Sequence, residues 1–339
     1  MHPYYQGFQA IKHQSDIGCR RPSGCIIVEE FPDLTIIPLT GYRVHYAKSR
    51  LLLLFSLMLQ IPKLYKTIKA EEAWLKNVVE ENQIDLIISD NRFGLHHPVV
   101  PSVFITHQLI IKAPYHWVEY IFRRINYYFI NQFTACWVPD MIANPGLAGK
   151  LSHPAVMPKV PVSYMKLLSR FTRVSCATKY SFAIVLSGPE PQRTILENNI
   201  LIDLEAFTKP VVLIRGLPTE TEPIEVPPHV TVFNHLDTID LALELQQADY
   251  IICRGGYTSL MELLSIDKRL IVVPTPGQTE QIFLANHLWE QNICYSVNQS
   301  YFDLLDVVKK AVQFNYQLPK LSNQNLHQLI PQLVESIRK

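Results

Sequence analysis

Two loops in the C-terminal half of the chain carry the groups that a phosphate binds. Arg254-Gly255-Gly256-Tyr257-Thr258-Ser259 follows the apolar run Tyr250–Cys253, and Thr275-Pro276-Gly277-Gln278-Thr279-Glu280-Gln281 follows the run Leu270–Val273. The first loop combines glycines, which let an anion approach the backbone, with hydroxyls, a cation and the amides of a helix start. That combination predicts a nucleotide site. Glu262, further along the same helix, has two readings. A carboxylate can accept both hydroxyls of a ribose diol, while Ser259-Leu260-Met261-Glu262 also has the spacing of a capping box with Ser259 as N-cap. In the N-terminal half, Asp90, Asn91 and Arg92 end one apolar run and His107 ends another. A carboxylate and an imidazole therefore stand where a parallel sheet places its chemistry.

These loops need strands to hold them. Apolar runs alternate with helical segments in the strand-loop-helix rhythm of an α/β fold, whose ligands bind at the carboxyl ends of parallel strands. A second domain is expected over 174–320, with strands at Tyr180–Leu186, Val211–Arg215, Val230–Phe233, Tyr250–Cys253 and Leu270–Val273. A first domain over 1–165 is expected to hold strands at Thr35–Leu39, Ile84–Ser89, Pro101–Thr106 and Ala135–Val138, with helices Ser49–Gln60 and Lys63–Asn82 broken at Pro62. Residues 1–30 show no period. Prolines at 139, 145, 154, 158 and 161, with Gly146 and Gly149, place the interdomain connection there and on to about Arg173.

The whole chain sets bounds. Its 339 residues suit two domains with a core each. A net charge of +1 with 18% charged residues excludes an electrostatic case for a nucleic-acid partner. Six scattered cysteines without a Cys-x-x-Cys read as reduced thiols, not as a disulfide framework or zinc site. His96, His97, His107 and His116 fit no ligand spacing and no Asp-x-Asp occurs, so neither metal nor cofactor is expected. The apolar run Leu51–Ile61 is shorter than the roughly 20 residues of a spanning helix, and Met1–Gly24 lacks a continuous apolar signal core. A cytoplasmic protein, at most peripheral to the membrane, is expected.

The paired patterns Arg-Gly-Gly-x-Thr-Ser-x-x-Glu and Pro-Thr-Pro-Gly-Gln-Thr-Glu-Gln-x-x-x-Ala-Asn-x-Leu, within residues 248–288, resemble the C-terminal donor-binding domain of family 28 glycosyltransferases. That group includes the N-acetylglucosaminyltransferase of peptidoglycan synthesis. The likeness is close over 180–320 and looser back to Phe31. It implies a GT-B architecture of two facing Rossmann-like domains, with the last helix, Asn325–Arg338 in the segment 321–339, crossing back onto the first. It further implies inverting, metal-independent transfer from a nucleoside-diphosphate sugar, a UDP-sugar above all, to a sugar or lipid-linked acceptor.

The resemblance implies site residues as well. Glu262 would hold the ribose, and Arg254, Gly255, Gly256, Thr258 and Ser259 the diphosphate. Gly277, Gln278, Thr279 and Gln281 would contact the sugar, with Gln281 facing the cleft. Ser187, Gly188 and Arg193 lie at the family's phosphate loop after the first strand of the domain, where Arg193 reads equally as a solvated surface arginine. His235 closes the turn at which backbone groups read the base. The first domain would supply the acceptor side, with Asp90 and His107 as catalytic candidates and Asn91 and Arg92 in the cleft.

The family begins with a strand whose Gly-rich turn ends in a histidine, and nothing before Phe31 matches it. The first strand-helix unit therefore reads as absent and the N-terminal domain as incomplete. Two other functions stay open: a sugar-nucleotide 2-epimerase, which shares the architecture, and a non-catalytic nucleotide-binding protein. Along His116–Phe133, Trp117, Ile121, Ile125 and Phe129 share one helical stripe near Lys112, Arg123 and Arg124. That mix suits a helix lying on a membrane, and equally a core-facing helix with snorkelling arginines.

Overall fold

The computed structural model describes residues 11–14, 37–40, 50–113, 115–321 and, near the C-terminus, 331, 332, 334, 335 and 337. They fall into two compact units. The first draws on Met1–Pro139, Pro154–Met165 and Gln324–Lys339, the second on Asp140–His153 and Lys166–Asn323.

In the first unit β1 (Ile11–Gln14) pairs parallel with β2 (Ile37–Thr40). β3 (Ile87–Asp90), β4 (Ser102–Ile105), β5 (Ala135–Val138) and β6 (Val162–Tyr164) form a parallel sheet in that order. Helix α1 (Arg50–Glu81) contributes Leu75 to a cluster with Leu39, Ile87 and Leu95. Beneath α2 (His116–Ile130), Phe104, Cys136 and Val138 pack against Leu109, Ile130 and Phe133. These strands are short and apolar, as strands covered by helices should be.

Three expectations are corrected here. Residues 1–30 were read without an element, yet Ile11–Gln14 is a strand; its partner is distant in sequence, and a local period cannot register such pairing. The helix does not break at Pro62 but continues through it. Proline removes one i→i−4 bond and crowds the carbonyl four residues back, which can be absorbed within a long helix. The expected interdomain connection contains strand β6 and a segment, Asp140–His153, that belongs to the second unit. The helix expected at Asn325–Arg338 falls mostly outside the described residues.

The second unit is one six-stranded parallel sheet of β7 (Tyr180–Val185), β8 (Val211–Ile214), β9 (Val230–Phe233), β10 (Ala248–Cys253), β11 (Arg269–Val272) and β12 (Cys294–Ser296). Its spatial order is β12-β11-β10-β7-β8-β9, the doubly wound order in which the chain reverses direction between β7 and β10. Helices α3 (Gln192–Leu204), α4 (Thr238–Gln246), α5 (Tyr257–Ser265), α6 (Thr279–Glu290) and α7 (Leu304–Gln313) follow β7, β9, β10, β11 and β12 in turn, and β8 leads to β9 without a helix. One face packs Ile251, Leu263, Leu270 and Leu284 into a core, and the other packs Ile184, Leu196, Ile271 and Val307. Both faces are buried, so the strands read as continuous apolar runs.

Candidate functional site

The reversal between β7 and β10 fixes where a ligand belongs. Cys253 pairs with Val185, so the loops Ser187–Pro191 and Arg254–Gly256 leave the sheet side by side, with the loop after β11 next in order. Helices α5 and α6 open from these central loops at Gly256 and Gln278 without a side-chain cap, whereas the first amides of α3 are taken, Gln192 N and Arg193 N by the Pro189 carbonyl and Thr194 N by Glu190 Oε2. The outer helices α4 and α7 are capped instead by Asp237 and Asp303, which accept from Asp240 N and Asp306 N. Uncapped N-termini leave amide donors and the positive end of the helix dipole available to an anion.

The two glycines of the first loop do different work. A Cβ on Gly255 would stand 3.0 Å from the Gln281 carbonyl oxygen and 3.4 Å from Val272, so this residue lets α6 approach. A Cβ on Gly256 would meet nothing within 4 Å. The open side of the loop is therefore at Gly256, where α5 starts, with Thr258 exposed and Ser259 half-buried beyond it. Across the neighbouring loops Gly188, with φ +99°, lies so that a Cβ would be 3.6 Å from the Thr275 hydroxyl. Thr275 is 2% exposed and its hydroxyl has no hydrogen-bond partner. A buried hydroxyl left unpaired beside uncapped helix ends is the polar group that a bound ligand would satisfy.

Several side chains expected to reach a ligand are engaged inside the protein instead. Arg254 is 2% exposed and donates to the Val273 carbonyl at 3.2 Å, Gln299 Oε1 at 2.7 Å and the Gln192 carbonyl at 2.6 Å. Burial pushes its guanidinium down to about 10, and it stitches three loops together beneath the site. Arg193 is buried between Glu190, at 2.5 Å, and Glu197, at 3.0 Å. It is neither a phosphate ligand nor a solvated surface arginine. Glu197 also binds Arg215 at 2.6 Å, an ion network whose desolvation is met by paired hydrogen bonds. Gln281 does not face a cleft: its carboxamide accepts from Thr275 N at 2.9 Å and donates to Gln278, stapling its own loop. Gly277, at φ +85°, has open space at its Cβ position, Gln278 and Thr279 are half-buried, and His235 is exposed.

Of the two readings of Glu262, the structure excludes the capping box. The helix starts at Tyr257 with Gly256 as N-cap, so Ser259 is a helical residue and no capping box forms. The Glu262 carboxylate, 8% exposed, instead accepts from Arg170 Nε at 2.6 Å and Nη2 at 3.2 Å. Arg170 lies in what was expected to be a connection, and no local pattern marks it. Asp140 was missed likewise. Its fully buried carboxylate accepts from the amides of Met141 (2.7 Å), Leu147 (2.8 Å) and Ala148 (3.0 Å) and from Ser152 Oγ (2.6 Å). The Tyr257 hydroxyl also bonds to it, so Asp140 supports the first residue of α5 from below. Gly146 must be glycine here, with φ +63° and a Cβ position only 2.5 Å from Asp140 Oδ2.

In the first unit Asp90 and His107 end adjacent strands, Asp90 pairing with Ile105. Asp90 is solvent-accessible, yet protein atoms around its carboxyl raise its pKa by desolvation, and the charge of His107 opposes that shift. Asn91 beside it is exposed with φ 55°, a backbone region that non-glycine residues enter at a cost of about 1–3 kcal/mol. Arg92 turns inward and pairs with the buried Glu71, which also accepts from Gly94 N at 3.1 Å. It holds α1 to the sheet and does not line a cleft.

Residues 194–335 match the glycosyltransferase family 28 C-terminal domain. No curated protein matches the chain. Among solved structures, Phytolacca americana UGT2 complexed with UDP-2fluoro-glucose and pterostilbene aligns at TM-score 0.61 and 10% identity, covering 98% of this chain and 93% of that one. Spinosyn rhamnosyltransferase SpnG complexed with thymidine diphosphate aligns at 0.58 and 10%, covering 92% and 90%. Acinetobacter baumannii MurG aligns at 0.50 and 13%, covering 98% and 92%. The chain has the GT-B fold of these structures, and the family 28 domain match over residues 194–335 supports glycosyl transfer.

Proposed function

We propose that this chain, built on a GT-B fold with a family 28 C-terminal domain, transfers a hexose from a nucleoside-diphosphate sugar, a UDP-sugar first, to an acceptor hydroxyl. The carrying observation is the centre of the second sheet. Two helix N-termini without a side-chain cap, an open Gly256 and the unpaired Thr275 hydroxyl meet at the point where the strand order reverses. Amides of Ser187, Gly188 and the start of α5 would receive the diphosphate, with Thr258, Ser259 and Thr275 as hydroxyl donors and Glu262 on the ribose diol. Gly277, Gln278 and Thr279 would meet the sugar.

The acceptor oxygen attacks the anomeric carbon while the bond from that carbon to the diphosphate oxygen breaks, inverting the centre in one displacement. The hydroxyl proton passes to a general base, for which Asp90 and His107 are the candidates. The leaving diphosphate gains charge where the helix ends point, so the fixed donors stabilise the transition state more than the ground state. No cofactor takes part, and the positive field of the helix ends makes a divalent ion dispensable.

The test is calorimetric titration with UDP, with and without EDTA, followed by turnover on UDP-sugars with the anomeric configuration of the product read by NMR. Binding that survives EDTA and an inverted product are expected. Binding abolished by EDTA refutes metal independence, and conversion of the donor alone to its 2-epimer refutes transfer.

A second reading concerns the acceptor. On α2, Trp117 (63% exposed), Ile121, Ile125 and Tyr128 (64%) lie on an outward face, with the guanidinium of Arg123 over the Tyr120 ring. The buried residues of α2 are Val118, Asn126 and Ile130, so Trp117, Ile121 and Ile125 of the expected stripe are not on the core face, while its fourth member, Phe129, is half-buried and stacks on Phe93. No helix among the described residues is long and apolar enough to cross a membrane. An exposed aromatic face flanked by cations fits peripheral contact with an anionic bilayer carrying a lipid-linked acceptor. Co-sedimentation with phosphatidylglycerol vesicles, lost in Trp117→Ala/Ile121→Ala, is expected; equal sedimentation of both proteins refutes it.

A further inference from the structure

The segment Leu168–Phe171 lies along α5 and is tied to it residue by residue. Leu168 N donates to Met261 Sδ at 3.2 Å, Ser169 Oγ bonds to Ser265 Oγ at 2.7 Å, and Phe171 N donates back to Ser169 Oγ at 3.1 Å. Between these anchors Arg170 presents the Nε–Nη2 side of its guanidinium to both oxygens of Glu262, at 2.6 and 3.2 Å. Its remaining nitrogen, Nη1, donates to Thr238 Oγ1 at 3.2 Å, and its Cζ stands 5.8 Å from the Phe171 ring centre. Thr238 is the first residue of α4, which follows the His235 turn.

We infer that Arg170 is a positioning residue that holds Glu262 as a fixed double acceptor and so makes the donor site selective for a ribose over a 2′-deoxyribose. The inference rests on the assignment of Glu262 to the ribose in the proposed function. A carboxylate has about four lone-pair sites on its two oxygens. The fork takes one on each oxygen and leaves one on each, a pair of acceptors suited to a vicinal diol. Without the fork the carboxylate rotates about its last torsion, which is soft for an sp²-terminated chain, and the two acceptors are no longer preset. A bidentate arginine pair supplies this geometry and a lysine does not, because its ammonium is a point charge. A site arranged around two hydroxyls discriminates against a ligand lacking one, because a buried acceptor is then left unpaired.

Calorimetry with UDP and with 2′-deoxyuridine 5′-diphosphate tests this on the full chain, using wild type, Arg170→Ala, Arg170→Lys and Glu262→Ala. Arg170 is half-exposed, and circular dichroism melts confirm that each variant is folded. Wild type is expected to prefer UDP by at least tenfold. Arg170→Ala and Arg170→Lys should reduce that ratio at least threefold, mainly through weaker UDP binding, and Glu262→Ala should abolish it. A ratio unchanged in Arg170→Ala but abolished in Glu262→Ala overturns the role of Arg170 alone. Tighter UDP binding by Arg170→Ala also overturns it, because Arg170 would then occupy the ribose position. No UDP binding by wild type, or no effect of Glu262→Ala, overturns the ribose assignment of Glu262 and the inference with it.

Discussion

Asp140→Asn should unsettle the second unit by an amount that can be worked from its hydrogen bonds. Asp140 Oδ1 accepts the amides of Met141 and Leu147, and Oδ2 accepts the amide of Ala148 and the Ser152 hydroxyl. The best orientation of asparagine keeps its oxygen at the Oδ1 position. Its NH₂ then opposes the Ala148 N–H, donor against donor, and leaves that buried amide unpaired at about 1–3 kcal/mol. The hydroxyls of Ser152 and Tyr257 can rotate to accept. The two amides at Oδ1 lose charge assistance, roughly 1 kcal/mol each, the difference between charged and neutral hydrogen bonds. The sum is about 3–5 kcal/mol, a large part of the roughly 5–15 kcal/mol that stabilises a domain. Urea unfolding would measure the loss, and hydrogen-exchange mass spectrometry would place it in Asp140–His153 and the start of α5. A loss below about 1 kcal/mol would show that the buried carboxylate is not the organising acceptor of this segment.

Gly94→Ala puts a Cβ 2.5 Å from both Glu71 Cβ and the Ile68 carbonyl oxygen, so it should cost about 1–3 kcal/mol by overpacking, measured as a lower urea midpoint for the first unit. Arg254→Met should lower stability by about 1–3 kcal/mol, the scale for leaving a buried acceptor unpaired, because it strips the Val273 and Gln192 carbonyls and Gln299 Oε1 of their donor, whereas a role confined to phosphate contact would leave the melting temperature unchanged. Among the four described cysteines, burial raises the Cys136 and Cys253 thiols to about 12 and Cys294 higher still, while Cys176 is half-buried. Thiolate is the reactive form, so native labelling with iodoacetamide at pH 8, read by peptide mass spectrometry, should mark Cys176 well ahead of these three. Fast modification of Cys253 would contradict the packing of β10.

The architecture of the second unit was legible because its information is local. Tyr180, Val211, Val230 and Leu270 lie in apolar runs that can only be covered strands, and glycines and hydroxyls sit at their carboxyl ends. The paired patterns at Arg254–Glu262 and Pro274–Leu288 lie on the loops that leave β10 and β11, and they were legible for the same reason. Sequence could not decide which polar groups in those loops remain available, because that depends on distant partners. Arg254 meets Gln299, Arg193 meets Glu197 and Arg215, Gln281 closes on Thr275, and Gly255 is packed where Gly256 is open. The tertiary structure alone brought Arg170 to Glu262, 92 residues away, and set Asp140 under Tyr257. Period and propensity are properties of neighbours in the chain, whereas the pairing of a buried charge is settled by whatever the fold places within about 3 Å of it.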